Sequence, residues 1–328
     1  MKRRTFIAGL GSAVAWPVVA RAQVTAVPVI GVLGSETAEQ SADRLNAFRQ
    51  GLRETGFVEG RNLAIEYRWA EGRNDRLPAL AADLVQRQVA VIASIAGIPG
   101  AQAAKAATTK IPIVFFTGAD PVAFGLVASM SRPGGNLTGA SALLDEVGPK
   151  RLELMKELLP AATSMALVVN PTNPVGDSQV RDMQSAASAK GIALHILHSS
   201  SPRDLDGLFA AAAKLRVAAL LIGSEQAFAT PGWILPFTAL AAEHAIPAVS
   251  GTPGFVAAGG LMSYGNNSSE SHRLCGIYTG QILKGANPAD LPIQQATKIE
   301  LSINMKTAKA LGLTIPETLL ATADDVIQ

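Results

Sequence analysis

Three acidic residues sit where a short apolar run gives way to small and polar residues. They are Glu36 in Gly34-Ser35-Glu36, Asp120 in Thr117-Gly118-Ala119-Asp120, and Glu225 in Gly223-Ser224-Glu225. A pair of such carboxylates could exchange a proton with a substrate, as in glycoside hydrolysis. Three companion stretches, Ser94-Ile95-Ala96-Gly97, Asn170-Pro171-Thr172-Asn173 and Ser250-Gly251-Thr252, are equally small and polar. Loops of this kind leave backbone N–H groups free near helix starts, which suits a carboxylate or another anion. Taken singly, each is also what an ordinary strand-to-helix turn with an N-cap residue looks like. Their number is what points to a shared site.

Other chemistry is not supported. The chain has no G-x-S-x-G elbow, no Walker phosphate loop and no H-E-x-x-H. His195, His198, His244 and His272 are not spaced with acids or cysteines as a metal-ligand set, so they read as structural or surface residues. The single Cys275 excludes an internal disulfide and a cysteine-rich zinc site. Aromatic residues make up 5% and are not interleaved with basic ones, which removes support for nucleic-acid binding. The expectation is therefore a binding protein with no catalytic residues, no metal and no cofactor. A secreted hydrolase using Glu36, Asp120 or Glu225 is a weaker alternative.

The elements that would position these loops repeat. Apolar runs at 27–33, 89–95 and 111–116 and an alternating stretch at 63–69 read as strands, with helical patterns at 42–54, 75–88 and 101–109 between them. From residue 164 the order recurs, with strands at 164–169, 193–197, 217–222 and 246–249 and helices at 179–189, 202–215 and 236–244. Further on, 261–265 and 299–303 read as strands, and 271–283 and 305–311 as helices. Alternation of this kind forces parallel sheets with helices on both faces. The predicted fold class is α/β, two doubly wound parallel-sheet lobes joined by a multi-crossover hinge. The first lobe is expected at 27–140 plus 265–293 and the second at 141–264 plus 294–328. Ligands of open parallel sheets bind at the carboxyl ends of the strands, so two facing sheets make a cleft.

The first 22 residues read as a secretory signal. Lys2, Arg3 and Arg4 precede an apolar stretch from Phe6 to Val19, and Ala20-Arg21-Ala22 offers a cleavage site. Arg3-Arg4 fits either the general secretory or the twin-arginine route. The formal net charge is +2, and residues 1–22 hold four basic and no acidic side chains, so the remainder is near −2. No later apolar run approaches the ~20 residues of a membrane span.

The loops and the stretches around them resemble a family. Ile30 to Ser35, Phe48 to Gly56, Ile111 to Phe115 with Asp120-Pro121-Val122, and Ser131-Arg-Pro-Gly-Gly-Asn-Leu-Thr-Gly139 carry the likeness. Lys150 to Leu154, Asn170-Pro171 with Asn173-Pro174, and Ser263-Tyr264-Gly265 extend it over almost all of the chain after the signal. The chain is similar to periplasmic substrate-binding proteins of ABC transporters with the type I lobe arrangement, in the branch with tryptophan-binding and tyrosine-binding members. The resemblance implies a monomer in the periplasm that closes on a small ligand, often an amino acid, and docks on a permease in the inner membrane. A ligand-sensing receptor domain is the alternative use of the same fold.

The resemblance also implies a site. Ser35, Glu36, Ser94, Ile95, Ala96, Gly97, Gly118 and Asp120 would line the first lobe. Asn170, Ser224, Tyr264 and Asn266 would line the second. The amides of Ala96 and Gly97, with a serine hydroxyl, would hold a carboxylate, and Tyr264 would offer a ring or a hydroxyl. One position departs from the pattern: Asn266 stands after Ser-Tyr-Gly where many relatives have an acid that can pair with an α-ammonium group. Asp120 or Glu225 would supply that charge instead, or the ligand lacks the ammonium.

Overall fold

The computed structural model describes residues 27–142, 147–266, 268–296 and 299–328. The expected signal segment lies outside them. The first half runs β1 (Val29–Gly34), α1 (Ala42–Glu54), β2 (Ala64–Trp69), α2 (Leu77–Gln86), β3 (Ile92–Ser94), α3 (Gly97–Ala107), β4 (Ile113–Thr117) and β5 (Leu137–Ser141). The second runs α4 (Gly148–Leu158), β6 (Ser164–Val169), α5 (Gly176–Ala189), β7 (Ala193–His198), α6 (Leu205–Leu215), β8 (Leu220–Ile222), α7 (Pro231–Glu243), β9 (Ala248–Ser250), α8 (Pro253–Ala257) and β10 (Met262–Gly265). The rest is α9 (Ser268–Leu283), β11 (Gln294–Gln295), β12 (Glu300–Asn304), α10 (Met305–Ala310), α11 (Glu317–Thr322) and β13 (Asp325–Ile327).

Two sheets result. The first has the order β11-β5-β4-β3-β1-β2, and the second β13-β12-β10-β9-β8-β6-β7. All pairings are parallel except β10 with β12. Successive residues of a strand point to opposite faces, and each sheet uses this to bury both. Along β4, Ile113 and Phe115 pack with α2 and α3, while Val114 and Phe116 pack with α1 and α9. Along β6, Met165 and Leu167 face α4 and α5, and Ala166 and Val168 face α6 and α7. The near-continuous apolar strand sequences follow from that double burial.

The chain passes from the first sheet to the second between β5 and α4, returns between β10 and α9, and crosses again between β11 and β12. The first sheet keeps Ser141 and, through pairing of β11 with β5, Gln294 and Gln295. The expected lobe boundaries therefore fall slightly early. The return crossing brings α9 onto α1. These helices touch backbone to backbone: a Cβ on Gly51 would lie 1.8 Å from the Arg273 carbonyl oxygen, and one on Gly276 would lie 2.0 Å from that of Phe48.

One helix corrects the sequence reading. The helix expected at 236–244 starts at Pro231 and runs through Pro236. An internal proline removes one backbone hydrogen bond and costs about 3 kcal/mol. The turn that precedes it buries Trp233 and Ile234, with Phe237 just beyond. Large apolar side chains of that kind contribute about 1.5–3 kcal/mol each on burial, which offsets the cost.

Candidate functional site

The carboxyl ends of both sheets face each other, and the loops that leave them enclose a cavity of about 70 Å³. The first lobe contributes Gly97 and Ile98 from the start of α3 and Phe116 to Ala119 from the end of β4. The second contributes Asn173, Ser224, Glu225, Gln226 and Phe228, with Thr252 after β9. Asn266 and Ser268 line it at the crossing into α9. The volume is about half of the ~150 Å³ that accommodates benzene. In this closed arrangement the cavity suits a small polar group, and a larger ligand needs the lobes further apart. Outside it, a groove of about 1230 Å³ runs between the lobes, with Arg73 and Gln102 on one wall and Arg203 and Trp233 on the other.

Helices α3 and α9 both start at the cavity. The first N–H groups of a helix have no intrahelical acceptor and carry the positive end of its dipole. Gly97 adopts φ +62 at the start of α3, a conformation that glycine reaches without strain. The anion-favouring side of the site is therefore backbone.

The acidic side is Glu225. Glu225 lines the cavity and is half-buried. Asn173 Nδ2 donates to Oε2 at 2.6 Å and Asn170 Nδ2 at 3.3 Å. Burial, opposed by the Asn173 amide and reinforced by the Glu36 carboxylate, pushes its pKa up. Glu36 is 2% exposed; its Oε2 lies 3.5 Å from Arg44 Nη2 and from Ser41 Oγ. Arg44 Nη1 reaches across to Gln226 Oε1 at 2.6 Å.

Several buried polar atoms around the cleft have no partner among the described residues. They are Ser35 Oγ, Glu36 Oε1, Ser94 Oγ, Thr252 Oγ1, both amide atoms of Asn266, and His272 Nε2. His272, in the first turns of α9, is fully buried against Phe116, with ring centroids 4.5 Å apart. Its Nδ1 bonds the Ser268 carbonyl at 2.7 Å. A carbonyl only accepts, so the ring proton is assigned to Nδ1 and the Nε2 lone pair is left unpaired. Burial, then the Arg44 guanidinium, lower its pKa to about 3, so the ring is neutral at ordinary pH.

The structure sorts the sequence candidates. Gly97, Gly118, Ser224 and Asn266 line the cavity. Asn170 stands behind Glu225, and its Oδ1 accepts from Thr172 N at 3.0 Å. Ser35 and Glu36 are buried at the end of β1. Ser94 points beneath α3, where a Cβ on Gly100 would meet its Oγ at 2.7 Å. Ile95 and Ala96 belong to the first-lobe core. Two candidates lie elsewhere. Asp120 is exposed and its Oδ1 accepts from Val122 N at 2.8 Å, closing its own turn. Tyr264 packs against the second-lobe core and not on the cavity. Sequence reasoning missed Arg44, Gln226 and Phe228, and read His272 as outside the site.

The comparisons place this geometry. The family model for ABC transporter substrate binding proteins matches residues 10–327. The chain belongs to that family. A tyrosine-binding protein of Clostridioides difficile (strain R20291) is 28% identical over 277 residues, 81% of this chain and 75% of its own length. A conserved domain protein from Vibrio cholerae O1 biovar eltor is 28% identical with a TM-score of 0.83, over 92% of this chain and 99% of that one. The ABC domain from Streptococcus pneumonia solved in complex with L-Trp is 25% identical with a TM-score of 0.80, over the same shares. The two-sheet architecture is that of type I periplasmic binding proteins. In this substrate-binding protein no group of three or more potential metal ligands occurs among the described residues. No helix among them is long and apolar enough to cross a membrane.

Proposed function

We propose that this substrate-binding protein captures an amino acid or a related small carboxylate in the interlobe cleft, with the lobes further apart than here and the ligand's polar groups in the 70 Å³ cavity, and delivers it to a membrane permease. The observation that carries the reading is the set of unpartnered buried polar atoms around the cleft, at Ser35, Glu36, Thr252, Asn266 and His272. An unsatisfied buried polar group costs about 1–3 kcal/mol. A protein stores several such groups in one place when a bound molecule completes them. The starts of α3 and α9 suit the ligand's carboxylate, and the tyrosine-binding and L-Trp-bound relatives support the amino-acid class.

The closed lobes act as a ligand-dependent signal to the permease, because a ligand that contacts both lobes favours closure by its differential affinity. Residues 1–22 have the make-up of a secretory signal, which supports a periplasmic location. The test is native mass spectrometry of the purified protein, followed by a thermal-shift screen of amino acids and aromatic acids. A retained ligand, or a rise in melting temperature that saturates, is expected. A screen in which no compound shifts the transition would sink the reading.

A further inference from the structure

Four consecutive residues, Gly223 to Gln226, line the cavity from the second lobe. The sheet holds only the start of this loop, where Gly223 N donates to the Val168 carbonyl at 2.9 Å. Beyond that point, side chains from two helices take over. Gln179, one turn into α5, pairs with the Ser224 peptide groups twice. Its Nε2 donates to the Ser224 carbonyl at 2.9 Å, and its Oε1 accepts from the Ser224 N–H at 2.8 Å. Arg151 of α4 donates to the Ile222 carbonyl at 2.7 Å and to the Ser224 hydroxyl at 3.2 Å. The Ser224 N–H and carbonyl have no other partner among the described residues. Gln179 is buried and stands behind the cavity wall, not on it.

The same turn of α5 also meets the first lobe. Val175, just before the helix, is buried and belongs to the apolar cluster of the first lobe that includes Ile98 and Leu126. Its carbonyl accepts from Gln179 N at 3.1 Å. Its N–H donates to Asn173 Oδ1 at 3.0 Å, and Asn173 Nδ2 donates to Glu225. One helical turn thus carries both a residue seated in the first lobe and the amide that fixes the loop after β8. At the other end of that loop Gln226 accepts from Arg44. We propose that Gln179 is a positioning residue: by fixing the Ser224 peptide groups it sets where Glu225 faces the cavity and where Gln226 meets Arg44, and so couples lobe closure to the shape of the site. A primary amide suits this task, because it offers a donor and an acceptor side by side that match the C=O and N–H of one residue. An apolar side chain of the same length leaves both peptide groups unpaired, and the loop relieves that cost by shifting toward water.

The test compares Gln179→Met, which keeps the length of the side chain, with Gln226→Ala and with the double variant, all in the full mature chain. Without ligand, small-angle scattering is expected to show a larger radius of gyration for Gln179→Met than for the wild type. The double variant should be no larger than Gln226→Ala alone, because residues that act through one contact are not additive. Gln179→Glu keeps the acceptor for the Ser224 N–H and loses the donor. It should lie between the wild type and Gln179→Met, and it carries the test if the methionine variant does not fold. The second readout rests on the capture reading above and uses L-tyrosine and L-tryptophan as probes, after the two relatives. Gln179→Met should weaken a probe that binds by roughly tenfold, the size of one lost hydrogen bond, and adding Gln226→Ala should change little. An unchanged radius of gyration, or effects that add in the double variant, overturns the positioning role and leaves ligand capture standing. If neither probe binds the wild type, the capture reading loses its support from those relatives, and the scattering alone decides the role of Gln179.

Discussion

Arg44 and Gln226, 182 residues apart, are joined across the cleft by a 2.6 Å hydrogen bond from Nη1 to Oε1. Arg44 is on α1 of the first lobe, and Gln226 follows β8 of the second. The bond exists only when the lobes are close. A hydrogen bond to a charged group contributes about 1.5–3 kcal/mol, which corresponds to a roughly tenfold or larger change in the ratio of closed to open molecules. Gln226→Ala should therefore shift the unliganded protein toward the open form. Small-angle scattering is expected to show a larger radius of gyration for the variant without ligand and convergence with the wild type at saturation. Superimposable unliganded curves would show that the bond does not hold the lobes.

His272 links stability to pH. Its folded pKa of about 3 lies below the ordinary value of 6.5. A depressed pKa in a base means that the unfolded state takes up protons first, so the contribution is fully present above pH 6.5 and is lost as pH falls from 6.5 toward 3. At pH 4.5 the loss from this one group is about 3 kcal/mol. Glu225, with its raised pKa, works in the opposite sense, favouring the fold as it becomes protonated. Urea unfolding at pH 7 and pH 4.5 should show a smaller acid loss for His272→Gln than for the wild type. Equal losses would place the acid sensitivity elsewhere.

The contact between α1 and α9 has no room for a methyl group. A Cβ on Gly51 would lie 1.8 Å from the Arg273 carbonyl oxygen, which is backbone and cannot swing aside. Gly51→Ala should destabilise the protein by about 3 kcal/mol or more, at the upper end of overpacking penalties. On the exposed side of α6, a Cβ on Gly207 would meet nothing within 4 Å. Gly207→Ala should add about 0.5–1 kcal/mol through helix propensity alone. Thermal unfolding of the two variants separates a packing effect from a propensity effect.

The central strands were legible because they are buried on both faces and read as nearly unbroken apolar runs, as in Ile113–Thr117, whereas the edge strand β2 was legible from its alternation. β5 was not. Its sequence, Leu-Thr-Gly-Ala-Ser, is small and partly polar, yet it is fully buried. It is held by contacts that no local pattern announces, such as Thr138 Oγ1 donating to the Leu291 carbonyl at 2.7 Å. The polar loops after the strands pointed to the cleft. Arg44 did not, because it sits in a helix whose neighbours Leu45, Phe48 and Leu52 are core, and its role emerges only when Gln226 arrives from the other lobe. Asp120 misled for a local reason: an aspartate can accept from the backbone two residues on, and here it does.

The return crossing that lays α9 on α1 also sets the order in which the molecule can be finished. The first sheet is complete in its main strands by Ser141, but the face formed by Phe48, Val114, Phe116 and Ala140 is covered by residues from Cys275 to Ile282. Until that late helix has been made, the earliest lobe carries an open apolar wall. Most of the second lobe, from α4 to β10, is synthesised in the interval, and its β12 and β13 come later still. Domains usually fold in order of synthesis; here the first to emerge is among the last to close, and a chain truncated before residue 283 cannot complete either its wall or its hinge.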